Sequence, residues 1–297
     1  MRQALIIVEM DVQLVFRSFF KMKFIFIFIS IHFLLISFTE KTFARCFEKD
    51  LIIEKKIWTK SLLGNLETRE IKILFPDLSI SRLYAVRLST ANFRSQIYLQ
   101  KNKDSMINAS ELVKRLNATI IINAGFYDHN YRPMGFFRSD NKTYNSRVLF
   151  KGSRRSLHFG ALLHIDKKTN RITIHHRDYF KKTIPGDVLQ AGPYLFKNGK
   201  PVKGLKKYRE YNRANRRTIV SISKDRTIVI LVSQENDRGV SWCELQQIFA
   251  HENVGFSVID AINLDGGSSS QLSINSEKFK KNIYGRSVPA FIVFYKR

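Results

Sequence analysis

The stretch Asn263-Leu264-Asp265-Gly266-Gly267-Ser268-Ser269-Ser270 decides how this chain is read. It follows Val258-Ile259-Asp260-Ala261-Ile262, a largely apolar run that reads as a buried strand. The strand therefore delivers a carboxylate, Asp265, into a turn of glycines and serines. Glycine lets bare backbone N–H groups come close to an anion, beside an acid held rigid at a strand end. Ordinary tight turns share this chemistry, because Asp often bonds backbone two residues on. The companions of the motif decide between the two.

Upstream, other polar residues sit at strand ends inside glycine-bearing turns. Asn123-Ala124-Gly125 follows the β-branched run Thr119-Ile120-Ile121-Ile122, and Arg132-Pro133-Met134-Gly135 comes shortly after. Gln190-Ala191-Gly192-Pro193 is a third such turn, and Arg216-Arg217-Thr218 opens another strand. An amide, an arginine, a carboxylate and a Gly/Ser turn suit a ligand with sugar hydroxyls and a phosphate. Guanidinium matches phosphate oxygens with a planar fork, and a turn of N–H groups can do the same. An Asp near an anomeric carbon can serve as base or nucleophile, or stabilise an oxocarbenium-like transition state.

Elsewhere the chain alternates short strands with turns. Strands are predicted at 71–74, 83–88, 119–122, 159–165, 171–176, 194–196, 218–222, 227–232, 258–264 and 290–295. Hairpin turns are predicted at Asn198-Gly199 and Lys224-Asp225, and a basic loop over 203–216. A short helix fits 109–116, capped by Asn108 or Ser110. Ser241-Trp242-Cys243-Glu244 has the capping-box pattern and opens a helix to about residue 252, with Asn253 and Gly255 as its stop. The expected fold class is α+β: a single mixed, strand-rich domain with a few helices packed on the sheet.

The N-terminus reads as a targeting segment. Lys21-Met22-Lys23 precedes the apolar stretch from Phe24 to Ile36, and Thr42-Phe43-Ala44 ends it. A basic start, an apolar core and a small residue are the marks of a secretory signal peptide. Met22 is an alternative start, and an uncleaved membrane segment is the alternative reading. The expected organisation is 1–44 as signal peptide or membrane segment, 45–82 as an N-terminal extension and 83–297 as the main domain. An exported location follows, periplasmic or secreted, with membrane contact only through an uncleaved N-terminal segment. The two cysteines of the chain, Cys46 and Cys243, could then pair across the domain.

The chain of 297 residues carries a formal charge of +25, and 44% of its residues are hydrophobic. Such a field attracts polyanions. No helix-turn-helix, zinc or RNP-type pattern is present, so no specific nucleic-acid partner is expected. Anionic envelope glycopolymers or phospholipid surfaces are the expected partners, beside a merely solvated basic surface. His158, His164, His175 and His176 show no ligand spacing, so neither a metal nor another cofactor is expected.

In order along the chain, Ile122-Asn123-Ala124-Gly125-Phe126-Tyr127, Pro133-Met134-Gly135, Ala191-Gly192-Pro193-Tyr194-Leu195, Arg217-Thr218-Ile219-Val220, Gly239-Val240-Ser241 and Ala261 to Ser269 resemble the phosphodiester glycosidase family. The likeness covers about residues 83–295. It implies hydrolysis between a sugar's anomeric carbon and a bridging phosphate, with a phosphorylated glycan or glycolipid as substrate. The family's characteristic positions match Asn123, Arg217, Asp265, Gly266 and Gly267. Ala124, Ser221 and Ser268 stand where glycines are common. A side chain at a turn needing positive φ would cost about 1 kcal/mol or more, so Ser268 is expected to alter the pocket.

The expected catalytic residues are therefore Asp265, Arg217 and Asn123, the last binding a sugar hydroxyl or orienting Asp265. Gly125, Gly192, Asn263, Gly266, Gly267, Ser268 and Ser269 are the expected substrate-binding residues. The alternative is a non-catalytic module that binds anionic envelope glycopolymers through the same pocket.

Overall fold

The strand that ends at Asn263 lies deep in the largest of three antiparallel sheets, and the chain then crosses into another sheet through the Asp265 turn. The structure, a computed structural model, describes residues 52–53, 58–60, 66–75, 77–153, 157–251, 254–276 and 279–297. Numbered in chain order, the nine-stranded sheet runs β1 (Ile52–Ile53), β3 (Leu66–Leu74), β4 (Ile80–Leu88), β15 (Ile228–Ser233), β14 (Thr218–Ser223), β16 (Val258–Asn263), β12 (Tyr194–Lys197) and β13 (Lys200–Pro201), with β2 (Thr59–Lys60) paired to β3. The second sheet runs β10 (Ile172–His176), β9 (Ala161–Ile165), β11 (Asp187–Ala191), β7 (Phe137–Ser139) and β8 (Lys142–Asn145). The third runs β18 (Lys280–Ile283), β17 (Leu272–Asn275), β6 (Ile120–Asn123), β19 (Ala290–Lys296) and β5 (Phe93–Leu99).

The fold is thus mixed and strand-rich, with two α-helices among the described residues, α1 (Ala109–Arg115) and α2 (Trp242–Ala250). The expected single sheet is corrected to three. Hydrophobic patterning finds strands, but which strands pair is a non-local matter that no short window carries. The β-branched runs of β6, β14 and β15 are buried at every position, as strands covered on both faces must be. Ile122, Ile262, Leu189, Leu272 and Val220 join one core to which all three sheets contribute.

Both helices start as their sequences dictate. Asn108 Oδ1 accepts from the N–H of Ser110 and Glu111, and α1 packs Leu112 and Val113 against Ile121 and Val293. The capping box at Ser241 is formed. Its hydroxyl accepts from Glu244 N at 3.2 Å, and Glu244 Oε2 accepts from Ser241 N at 2.7 Å. Helix α2 seats on the main sheet through Phe249, whose ring lies 6.0 Å from that of Phe196. The predicted Asn198-Gly199 turn joins β12 to β13 with φ of +51° and +75°, as a two-residue hairpin of this twist requires.

The boundary expected at 82/83 falls inside β4, which pairs with β3 from Leu66↔Leu88 to Leu74↔Ile80. Buried Leu66, Ile71 and Ile73 make β3 part of the same body, and residues 49–297 form one compact unit. The expected targeting segment, the helix stop at Asn253 and Cys46 lie outside the described residues. Cys243 is disulfide-bonded and fully buried in the first turn of α2. Among the described residues no helix is long and apolar enough to cross a membrane.

The glycine turns share one architectural role. Residues 124–136 lead from the third sheet into the second, Gly192-Pro193 leads from the second into the first, and residues 264–271 lead from the first into the third. Backbones crowd at such crossings. A Cβ at Gly192 would lie 2.6 Å from His158 O, and one at Gly266 would lie 2.8 Å from Arg216 O.

Candidate active site

Asp265 sits where two of these crossings touch. Its N–H donates to Ala124 O at 3.2 Å, and its own carbonyl accepts from Asn123 Nδ2 at 2.8 Å. The strand ends of β6 and β16, from different sheets, are thereby clamped together. The Asp265 carboxylate is half-buried and partly desolvated. Burial pushes its pKa up, while the Ser269 hydroxyl, the Gly266 N–H and the nearby charge of Arg286 pull it down. Gly266 N donates to Oδ1 at 2.9 Å. A carboxyl group raised by desolvation and still hydrogen-bonded suits proton or nucleophilic chemistry.

Arg217 enters β14 beside this turn. It is 6% exposed, yet no carboxylate forms an ion pair with it among the described residues. Its Nε donates to Val240 O at 3.0 Å and its Nη2 to Arg213 O at 2.9 Å, and the guanidinium lies 5.6 Å from the Trp242 ring centroid. Burial lowers its pKa to about 10, opposed by Glu210 and Glu244 and assisted by Arg213. A Cβ on Gly266 would stand 3.9 Å from Arg217 Nη1, which places the cation against the turn. A buried cation with no carboxylate in direct contact, only the more distant charges of Glu210 and Glu244, gains from an anion that joins it, so the geometry fits an anionic ligand.

Asn123 is 1% exposed and committed to the protein. Besides the clamp on Asp265, its Oδ1 accepts from Thr218 Oγ1 at 2.7 Å and from Gln271 N at 3.1 Å. The amide that was expected to meet a sugar hydroxyl has its donors and its acceptor engaged within the protein, where it holds the backbone of Asp265. Asn263 is also buried, and its Nδ2 donates to Gly192 O at 3.1 Å and Leu264 O at 2.6 Å. It ties the Gly192 crossing to the Asp265 crossing from within. A Cβ on Gly125 would meet Gln190 O at 3.1 Å, so this glycine lets the crossing pack on β11.

Two further expectations are corrected. The turn was expected to offer several bare N–H groups, but Gly266, Gly267, Ser269 and Ser270 donate theirs to Asp265 Oδ1, Arg216 O, Gly266 O and Gly267 O. The 3₁₀ turn over residues 267–269 takes up the last two of these N–H groups, while the Asp265 side chain and the neighbouring Arg216 carbonyl take the first two. Ser268, the exposed member, keeps its N–H clear of these bonds. The expected strain at Ser268 is absent as well. The left-handed position is Gly267, at φ +62°, and neither Ser268, Ala124 nor Ser221 has a positive φ.

The structure adds residues that the sequence did not single out. Arg286 is exposed, lowers the Asp265 pKa by its charge and lies 5.5 Å from the Tyr127 ring centroid. Its N–H donates to Ser268 O at 2.9 Å, which folds Gly285-Arg286 over the turn. An arginine after a glycine ahead of the last strand was the available signal. His158, one of the histidines without ligand spacing, packs edge-on against Trp242 at 5.0 Å, with Nε2 3.7 Å from Glu210 Oε2. Burial lowers its pKa, Glu210 raises it, and Arg217 lowers it further. Nothing in its spacing marked it. Among the described residues no group of three or more His, Cys, Asp or Glu is arranged to hold a metal ion.

The sequence pattern of the phosphodiester glycosidase family matches residues 116–295. No curated protein matches the chain. Among solved structures, the zebrafish N-acetylglucosamine-1-phosphodiester alpha-N-acetylglucosaminidase catalytic domain, auto-inhibited by its pro-peptide, is similar with a TM-score of 0.57. The identity is 15%, over 84% of this chain and 88% of that one. A hypothetical protein from Synechocystis gives 0.54 at 13% identity, over 78% of this chain and 62% of that one. An exported protein, so described only provisionally, from Burkholderia pseudomallei gives 0.50 at 12% identity, over 73% and 74%. At these identities the likeness is one of fold. The family pattern spans more than half of the chain and takes in Asn123, Arg217 and the whole Asp265 turn, and on that ground the chain belongs to the phosphodiester glycosidase family.

Proposed function

We propose that this protein is an exported hydrolase that cleaves the bond between a sugar's anomeric carbon and a phosphodiester phosphate. The observation that carries this reading is the seat of Asp265: a half-buried, partly desolvated carboxyl at the meeting of two sheets, with buried Arg217 against its turn and Arg286 within electrostatic reach. A phosphodiester glycoside presents matching groups, an electrophilic carbon next to a single negative charge. Arg217 and Arg286 would hold the phosphate and stabilise the charge that grows on it as the C–O bond breaks. Asp265 would act at the anomeric carbon, as nucleophile or as the base that activates water. The leaving phosphate is weakly basic, so little protonation help is needed. The basic and then apolar N-terminus of the sequence supports export.

Arg286 offers the cleanest test of phosphate recognition, since it is exposed and its removal leaves the core intact. Arg286→Ala should lower kcat/KM for a sugar-1-phosphodiester by about 10²-fold or more, as loss of one transition-state donor does. An uncharged aryl glycoside of the same sugar should be affected far less. Equal losses on both substrates would overturn the phosphate role.

A further inference from the structure

A cleft of about 600 Å³ lies in the wall formed around residues 128–135 and plays no part in the chemistry above. It is lined by Lys101, Lys103, Arg132 and Arg147, against a single carboxylate, Asp128. All four cations are exposed, and none is ion-paired among the described residues. Asp128, whose Oδ1 accepts from the N–H groups of Asn130 at 2.8 Å and Arg132 at 2.9 Å, offsets one of these four charges and leaves the rest in excess. The cleft is thus a concave surface with a cationic excess, which concentrates anions.

Packing links the cleft to the candidate active site. Tyr131, in the cleft wall, stacks on Tyr127 with centroids 5.5 Å apart and planes 15° apart. The Tyr127 hydroxyl lies 3.4 Å from Ser269 Oγ, inside the Asp265 turn, and Arg286 covers the Tyr127 ring. Tyr131 holds φ +62°, an uncommon conformation for a bulky residue, fixed by a turn whose ends are Asp128 and Arg132. A chain with one phosphate at Arg286 would continue past Tyr127 and Tyr131 into the cations.

We propose that this cleft is a second binding site, taking the successive phosphates of a sugar-phosphate or polyol-phosphate polymer whose terminal glycosyl phosphate reaches Asp265. The link to catalysis rests on the glycosidase reading of Asp265, whereas the binding itself does not. The chemistry of the wall disfavours nucleic acid. Single strands are held by stacking bases on open aromatic faces. Here Tyr131 lies between Tyr127 and Lys103, whose Nζ is 5.3 Å from its centroid, and Tyr144 is covered by Lys142 at 5.4 Å. Phosphates spaced along a hydroxylated, base-free chain suit such a wall.

The test uses the full chain, a poly(glycerol phosphate) and an oligodeoxythymidine of equal charge, with Lys101→Ala/Lys103→Ala and Arg132→Ala/Arg147→Ala pairs as variants and thermal melts to confirm folding. Poly(glycerol phosphate) should bind more tightly than the oligonucleotide. Each variant pair should weaken it by about tenfold and flatten the slope of log affinity against log salt by about one per lost cation. The ratio of kcat/KM between a substrate extended by several glycerol phosphates and a single sugar-1-phosphodiester should fall towards one in the variants. Unchanged binding in folded variants, or equal affinity for the oligonucleotide, would overturn the proposal. Cleft-dependent polymer binding without any hydrolysis would support this site while overturning the glycosidase reading.

Discussion

At the scale of the residue, the chemistry turns on how Asp265 is solvated. Burial favours its neutral form, so its folded pKa lies above the unfolded value of about 3.9. The stability this group contributes is fully present below that unfolded value and is lost as pH rises through the folded pKa. Asp265→Asn, permanently neutral, should therefore raise Tm above the parent at pH 7, with the gain shrinking as pH falls towards 3. A lower Tm for the variant at pH 7, with no pH trend, would show that the carboxylate is stabilised rather than strained in its seat. The acid limb of any activity profile should lie above the ordinary Asp range for the same reason. The places of Asp265 and Arg217 at strand ends were legible from the sequence because each adjoins an apolar strand. Arg286 and His158 were not, because their proximity to those strand ends comes from the crossings, which join residues far apart in sequence.

At the scale of the element, the turns carry the structure. Most buried strands were legible: β6, β14, β15, β16 and β19 are dominated by apolar, largely β-branched residues, and both capped helices carried their start signals. Strand β5 was missed, because Arg94, Ser95 and Gln96 interrupt its apolar pattern, although Ser95 is buried against Asn170. Strand β3 extends through Glu67, Thr68, Arg69 and Glu70, whose polarity reads as loop, while Arg69 is buried under Trp58 and Phe256. The glycines of the crossings differ in kind. Gly267 needs its positive φ but has open space, with nothing nearer than 3.7 Å. Gly266 has an ordinary φ of −121° but no space, with Arg216 O at 2.8 Å from a Cβ. Gly267→Ala should therefore cost about 1 kcal/mol of stability through backbone strain. Gly266→Ala should cost about 1–3 kcal/mol and displace Arg217 as well, lowering turnover. Denaturant melts and kinetics on the two variants check this, and a harmless Gly266→Ala would contradict the crowding at the crossing.

At the scale of the whole molecule, three sheets sharing one core place three crossings so that they meet, and the candidate site is that meeting point. The sequence showed the turns as separate glycine motifs. It could not show that they are the passages between sheets, since strand pairing is set by long-range packing. The net charge of +25 becomes specific only in the structure, where unpaired cations gather in a cleft joined to Asp265 through two tyrosines. The central claim, that this chain hydrolyses a glycosyl phosphodiester with Asp265 at the reacting carbon, is tested most directly by sugar release. The purified protein and its Asp265→Asn variant would be compared on a panel of sugar-1-phosphodiesters. Release by the parent, with loss of about 10³-fold or more in a variant that melts at least as high, is the expected result. Equal release by both proteins, or none by a folded parent from any member of the panel, would contradict it.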